Sequence, residues 1–282
     1  MKKLKAAFIG FIPRGLSFDE QLDVLKQYHA LGYSAAENGN FLLQGDVEDN
    51  KKRLDDIGMK VLSVGLRSRK ADPEVIKEAI ENAKKAGVKR VATYASLAAD
   101  FRFGGRDCQP TYDEMMDEIE NLNAIAKELD KEGLILTFHN HDAEFNTFFR
   151  RKCMYEYMVE NSEYLKFQLD VGWVLYGHYD PVTVMKYVGD KLRSLHVKDW
   201  ILGNTLGPAR PGAEMEMQKH TFAMPNFVAP GTGLLPLKGV LEQGCGMNFD
   251  YAIVEMDFMH NMCEADELRC AYLNMRETGF VE

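Results

Sequence analysis

Short apolar, β-rich runs alternate with amphipathic stretches along the whole chain. The runs are AAFIGF from Ala6, YSAAE from Tyr33, KVLSVGL from Lys60, RVATYA from Arg90, LILTFHN from Leu134, KFQLDVG from Lys166, RSLHVKD from Arg193 and YAIVEMD from Tyr251. Most are uninterrupted apolar stretches, as expected of strands covered on both faces. The segments between them carry helix start and stop signals. Ser17 with Glu20, and Thr111 with Glu114, have capping-box spacing. Asp72-Pro73 and Asp180-Pro181 each place a capping side chain before a proline suited to a first helical turn. Gly87, Gly133 and Gly279 follow helical stretches as stop signals. Over 111–130, Met115, Ile119, Leu122, Ala126 and Leu129 recur at helical spacing and leave the charges on the other face.

Eight such units in 282 residues predict a closed (β/α)₈ TIM barrel of the α/β class, one domain spanning residues 1–282. A doubly wound open sheet is the rival topology. Neither G-x-G-x-x-G nor G-x-x-x-x-G-K follows the first run, which argues against a nucleotide-binding version. One segment breaks the rhythm. Residues 199–237 are rich in Gly, Pro and Met, and a connection of that length inside a domain predicts a lid, a binding loop or a partner surface.

Composition narrows the function. Apolar residues make up 46%, enough for a sizeable core, and the formal net charge is −9. An acidic chain is a poor match for nucleic acid or for an anionic membrane surface, both of which want a basic face. The five cysteines (Cys108, Cys153, Cys245, Cys263 and Cys270) form no CxxC or Cys/His cluster. That pattern predicts free thiols in a reducing, cytoplasmic setting. The basic-then-apolar start MKKLKAAFIGFIPRG reads as a buried first strand rather than a signal peptide. No apolar stretch is long enough to span a membrane.

The chemistry lies at the C-terminal ends of the later runs, the face on which a barrel of this kind builds its active site. The fifth run ends in His139, Asn140, His141, Asp142 and Glu144, and the sixth in Asp170 and Trp173. The seventh ends in His196, Lys198 and Asp199, and the eighth in Glu255 and Asp257. Glu144 to Asp170 is 26 residues and Asp170 to His196 is again 26, one βα unit each; His196 to Glu255 is 59, one unit plus the long segment. Residues from four consecutive strand ends can therefore converge. Carboxylates with an imidazole make an O/N donor set for one divalent metal ion, Mn²⁺ first, with Zn²⁺, Co²⁺ or Fe²⁺ as alternatives.

The motifs HNHDAEF, LDVGW, LHVKD and VEMD, in that order, resemble the xylose-isomerase-like barrel superfamily. The C-terminal AYLNMRETGF resembles the last helix of these proteins. The resemblance implies Glu144, Asp170, His196 and Glu255 as metal ligands. Many relatives carry E-N-H where this chain has His139-Asn140-His141, so His139 is the alternative to Glu144. It also implies proton abstraction next to a sugar carbonyl, with Glu144 and Glu255 as the acid/base pair and His141 or His139 as a further acid/base. Lys198 would polarise a substrate oxygen, and Glu37, Trp173 and Asn140 would bind the sugar. The expected function is a metal-dependent sugar isomerase or epimerase. The alternative is a lyase on 3-keto sugars, with dehydratase or 3-oxo-glycoside cleaving activity and a second small subunit. The expected partner is a small carbohydrate, and an oligomer is expected. An endonuclease IV type of reaction would need more strand-end histidines than seven in all allow.

Overall fold

The computed structural model describes residues 2–13, 15–202, 225–257 and 262–282. Its main sheet is wholly parallel and follows the eight apolar runs. The strands are β1 (Lys5–Ile9), β2 (Ala35–Ala36), β3 (Lys60–Val61), β4 (Val64–Gly65), β5 (Arg90–Thr93) and β6 (Ile135–His139). After a small antiparallel hairpin, β7 (Phe148–Phe149) with β8 (Lys152–Cys153), come β9 (Lys166–Asp170) and β10 (Leu192–Val197). A second antiparallel pair, β11 (Asp199–Ile201) with β12 (Asn226–Val228), precedes the last strand, β13 (Tyr251–Glu255).

The hydrogen-bonded order of the main sheet is β3-β2-β1-β13-β10-β9-β6-β5-β4. Its two ends, β3 and β4, are separated only by Leu62 and Ser63. They are the two halves of the third run, one paired to β2 and the other to β5. Nine hydrogen-bonded pieces thus make eight barrel positions, and the sheet closes through a bend in its third strand.

The expected caps form. Ser17 and Thr111 make reciprocal capping boxes with Glu20 and Glu114. Asp72 and Asp180 cap helices that open on proline, and Gly87 ends its helix in a left-handed conformation at φ 69°. The helix Tyr112–Lys131 buries Met115, Ile119, Leu122, Ala126 and Leu129 against the sheet. Each large apolar side chain so buried contributes about 1.5–3 kcal/mol.

Two apolar clusters result, and their sizes differ greatly. The large one lies between strands and helices. The small one holds Ala7, Ala35 and Ile253, one residue each from β1, β2 and β13. The remaining inward positions of β2, β5, β9 and β10 carry polar side chains that meet across the barrel, described below.

The long segment after β10 is tied down at its base. The β11–β12 pairing aligns Asp199 with Val228 and Ile201 with Asn226. Residues 203–224, which make up most of the expected lid or partner surface, lie outside the described residues. Asp199 is fully buried. Its carboxylate accepts from the backbone N–H groups of Trp200 (2.8 Å), Gly231 (2.9 Å), Gly233 (2.9 Å) and Leu235 (2.8 Å). A Cβ on Gly233 would sit 2.3 Å from the Asp199 carboxylate, so the turn requires glycine there. Replacing Asp199 by alanine would leave four N–H groups without their acceptor. The expected loss in unfolding free energy is about 3 kcal/mol, read from urea melts.

Candidate functional site

Alternation along the strands sets the site. Successive side chains of a strand point to opposite faces, so Gln168 and Asp170 share one face of β9, and Ser194 and His196 share one face of β10. The two strands align His196 with Asp170, while Ile9 of β1 aligns with Glu255 at the end of β13. Across this end of the barrel, ligand atoms of His139, Asp170, His196 and Glu255 all lie within 4.8 Å of one another. Three of the four residues are buried. Glu255 is the most open, its side chain 17% exposed.

His196 is gripped from two sides. Its Nδ1 lies 2.6 Å from Glu255 Oε2, and its Nε2 is hydrogen-bonded to Glu37. Burial opposes a charged imidazole, but the two carboxylates outweigh it and raise the ring to about 10. Glu37 in turn pairs with Arg90 and accepts from Gln168 Nε2 at 2.8 and 2.9 Å. Gln168 Nε2 also donates to Ser194 Oγ at 3.0 Å. Burial works against an ionised Glu37, yet Arg90 and His196 hold it below the ordinary carboxylate range. Glu37, expected from sequence to bind sugar hydroxyls, lies inside the barrel and not at its rim. It is 4% exposed and supports His196 from beneath.

Lys198 supplies the second fixed charge. It is fully buried, with Nζ 2.7 Å from Asp257 Oδ2, 3.1 Å from Asp170 Oδ2 and 3.3 Å from Glu255 Oε2. Burial alone would favour the neutral amine, but these three carboxylates keep its pKa raised. Burial raises Asp170 to about 7 against the pull of Lys198. Glu255 stays well below its ordinary range; burial is overcome by Lys198, His196 and His139.

The Lys198 ammonium lies 5.1 Å from the Trp173 ring centre and 5.3 Å from that of Phe227. Trp173 is 1% exposed, so it forms a wall of the cluster and not an open stacking platform. Close approach of the chain there depends on Gly172, where a Cβ would stand 2.5 Å from the Lys198 carbonyl oxygen.

The HNH turn after β6 departs most from expectation. Glu144 is not in the cluster. Its carboxylate accepts from the Ser96 hydroxyl and from the His141 backbone N–H (2.7 Å), and burial raises it to about 7. Its position in the short helix Ala143–Asn146, beyond the strand end, turns it into the barrel wall. His139, the last residue of β6, takes the place at the cluster, 4.8 Å ring to ring from His196. Asn140, expected to bind the sugar, is fully buried. Its amide donates to the Asp170 carbonyl (3.2 Å) and accepts from the Asp170 N–H (3.0 Å), which staples the ends of β6 and β9 together. His141 packs edge-on to Trp173 and Phe103, and burial lowers it to about 3, so it is neutral.

Sequence reasoning passed over Arg90, Gln168, Ser194 and Ser96. A signal was available for two of them: Gln168 and Ser194 are polar residues two positions before Asp170 and His196, on the same face of their strands. Substituting Glu37 by alanine strands Arg90, Gln168 and His196 in the barrel interior. The expected cost is about 3–5 kcal/mol of folding stability, measured by chemical denaturation.

The comparisons agree with this architecture. A sugar phosphate isomerase/epimerase from Parabacteroides distasonis superposes with a TM-score of 0.68 at 18% identity, covering 100% of this chain and 96% of that one. AsbF of Bacillus anthracis, described as a probable 3-DHS dehydratase, gives 0.71 at 14% identity over 97% and 99%. IolI, solved with a zinc atom, gives 0.69 at 15% identity over 98% of each chain. No curated protein sequence matches. Residues 25–261 match the model of the xylose isomerase-like TIM barrel family, and the chain belongs to that family.

Proposed function

We propose that this protein is a metal-dependent carbohydrate enzyme that removes a proton from carbon next to a sugar carbonyl. The observation that carries the reading is the convergence of His139, Asp170, His196 and Glu255 at the C-terminal end of the barrel. Two imidazoles with two carboxylates suit Mn²⁺, Zn²⁺, Co²⁺ or Fe²⁺. Orphaned polar atoms support the fit. Among the described residues, His139 Nδ1 is buried without a hydrogen bond, and Asp170 Oδ2 has none either, its near neighbour being Lys198 Nζ at 3.1 Å. Glu37 on Nε2 of His196 leaves Nδ1 facing the cluster, the carboxylate–histidine arrangement that orients metal-binding imidazoles. In this reading His139 is the ligand from β6, and Glu144 orients the HNH turn.

A bound divalent ion would act as a Lewis acid toward the negative charge that develops on the substrate oxygens. The chain's own residues do the rest. Glu255, ionised and the most exposed of the four, accepts the carbon-bound proton. Lys198, kept protonated by Asp257, donates to a substrate oxygen. His141, neutral and beside His139, is the second acid/base group. Return of the proton gives an isomerase or epimerase.

One observation favours the lyase alternative. Glu144, expected to oppose Glu255 across the sugar, is turned into the barrel wall. Epimerisation then has to rely on His141 for the acid on the opposite face, whereas elimination needs only one base and a leaving group.

Three outcomes test the reading. His139→Ala should weaken Mn²⁺ binding in calorimetry more than Glu37→Gln, which should cost about 10–100-fold, while Glu144→Gln should leave it within about threefold on this reading of its position. His196 must lose a proton to bind a cation, and its pKa without one is about 10. Affinity should therefore rise with pH, about tenfold per unit between pH 7 and 9, with proton release detectable by varying the buffer. With Mn²⁺ and ketoses or 3-keto glycosides in D₂O, NMR should show C–H exchange or elimination that Glu255→Gln abolishes. Exchange surviving in that variant would remove Glu255 from the role of base.

A further inference from the structure

On the cluster's side of the barrel, but outside it, lies a cleft of about 320 Å³. Arg102, Asp142, Tyr176 and Trp200 form its walls, and Asn146 and His178 stand at its rim. Each wall residue comes from a segment that follows a barrel strand, β5, β6, β9 and β10 in turn. The cleft is separate from the cluster, because Trp173 stands between them with its ring 5.8 Å from that of Tyr176 and 5.8 Å from that of His141. The catalytic reading above uses none of the four wall residues.

The cleft's chemistry selects its ligand. Arg102 Nε lies 3.0 Å from Asp142 Oδ2, and both side chains are largely buried, 14% and 4% exposed. The pair is neutral overall, so the guanidinium is already committed to a carboxylate and is a poor phosphate site. Asp142 Oδ1 is buried with no hydrogen-bond partner within the distance criterion among the described residues. A buried acceptor left in that condition calls for a donor, and a ligand hydroxyl supplies one. Opposite it, the Tyr176 and Trp200 rings meet at 90° with centres 5.1 Å apart. Two rings in a corner favour the face and edge of a third ring. The volume is near the lower end of the range for small-ligand pockets, which limits the occupant to about one ring with its substituents.

We propose that this cleft binds an uncharged, hydroxylated six-membered ring. The cleft is a second site beside the cluster, walled from it by Trp173, and its ligand is recognised independently of the chemistry there. The ring can be a pyranose or a phenol, which share flat faces and hydroxyl donors.

The test uses the full chain treated with chelator, so that it reads the cleft alone. Catechol, methyl glucopyranoside and inorganic phosphate are titrated separately and followed by ligand-observed NMR and Trp fluorescence. The expected result is about millimolar binding of one ring probe, weakened at least about tenfold in both Tyr176→Ala and Asp142→Asn, with no phosphate binding. Catechol binding identifies a phenolic ring and methyl glucopyranoside binding a pyranose. Tyr176→Phe, which keeps the ring wall and guards against a folding artefact, should bind as the parent does. The proposal is overturned if neither ring probe binds, if both weakening variants bind like the parent, or if phosphate competes. Mn²⁺ titration of the parent and Tyr176→Ala separates the two readings. Loss of metal binding in the parent with ring binding intact would sink the cluster's function and leave the cleft. The reverse would sink the cleft alone.

Discussion

A carboxylate buried in the barrel, Glu37, is the group on which the site depends. It cannot be ionised there unless cations and donors surround it, and Arg90, Gln168 and His196 do so from three other strands. Removing one partner of such a set leaves an uncompensated buried charge, which is why buried ionic groups tend to be tightly fixed in position. His196 is consequently fixed before anything binds. The imidazole cannot swing away from Glu255 without breaking its bond to Glu37.

The same logic shapes the barrel interior. Barrels of this class usually fill their centre with layers of branched apolar side chains. Here the apolar filling centres on Ala7, Ala35 and Ile253, and a polar stratum of Glu37, Arg90, Gln168 and Ser194 lies in the interior with it. Above that stratum stands the second charge system, Lys198 among Asp170, Glu255 and Asp257. The two systems meet at Glu255, which contacts both His196 and Lys198. A change in charge at Glu255 is thus felt by both.

The fold was legible because strands covered on both faces leave unbroken apolar runs, and because helix caps are local signals. All eight runs became barrel strands, even where the third bends into two pieces. Asp170, His196 and Glu255 were legible for a related reason: a repeat of one βα unit brings equivalent strand ends to one level. Glu144 shared the same 26-residue spacing, but spacing counts residues and does not report direction. It lies five residues past the end of β6, where a short helix redirects it, while His139 ends the strand itself. Asn140, expected to bind the sugar, pairs its side-chain amide with both backbone groups of Asp170, a contact that sequence spacing does not report. The buried network around Glu37 is not legible in sequence, because its partners lie 53, 131 and 159 residues away. Such contacts become visible only when barrel register is known.

The Asp199 anchor bears on how this chain tolerates change. Because four backbone donors and the β11–β12 ladder hold both ends of the stem, the ends meet at the same place whatever lies between them. Chain entropy then charges little for extra residues at the tip, about 0.6 kcal/mol for each doubling of length. The stem behaves as a socket into which evolution can fit segments of different length and composition while the residues beside it, Lys198 among them, keep their positions.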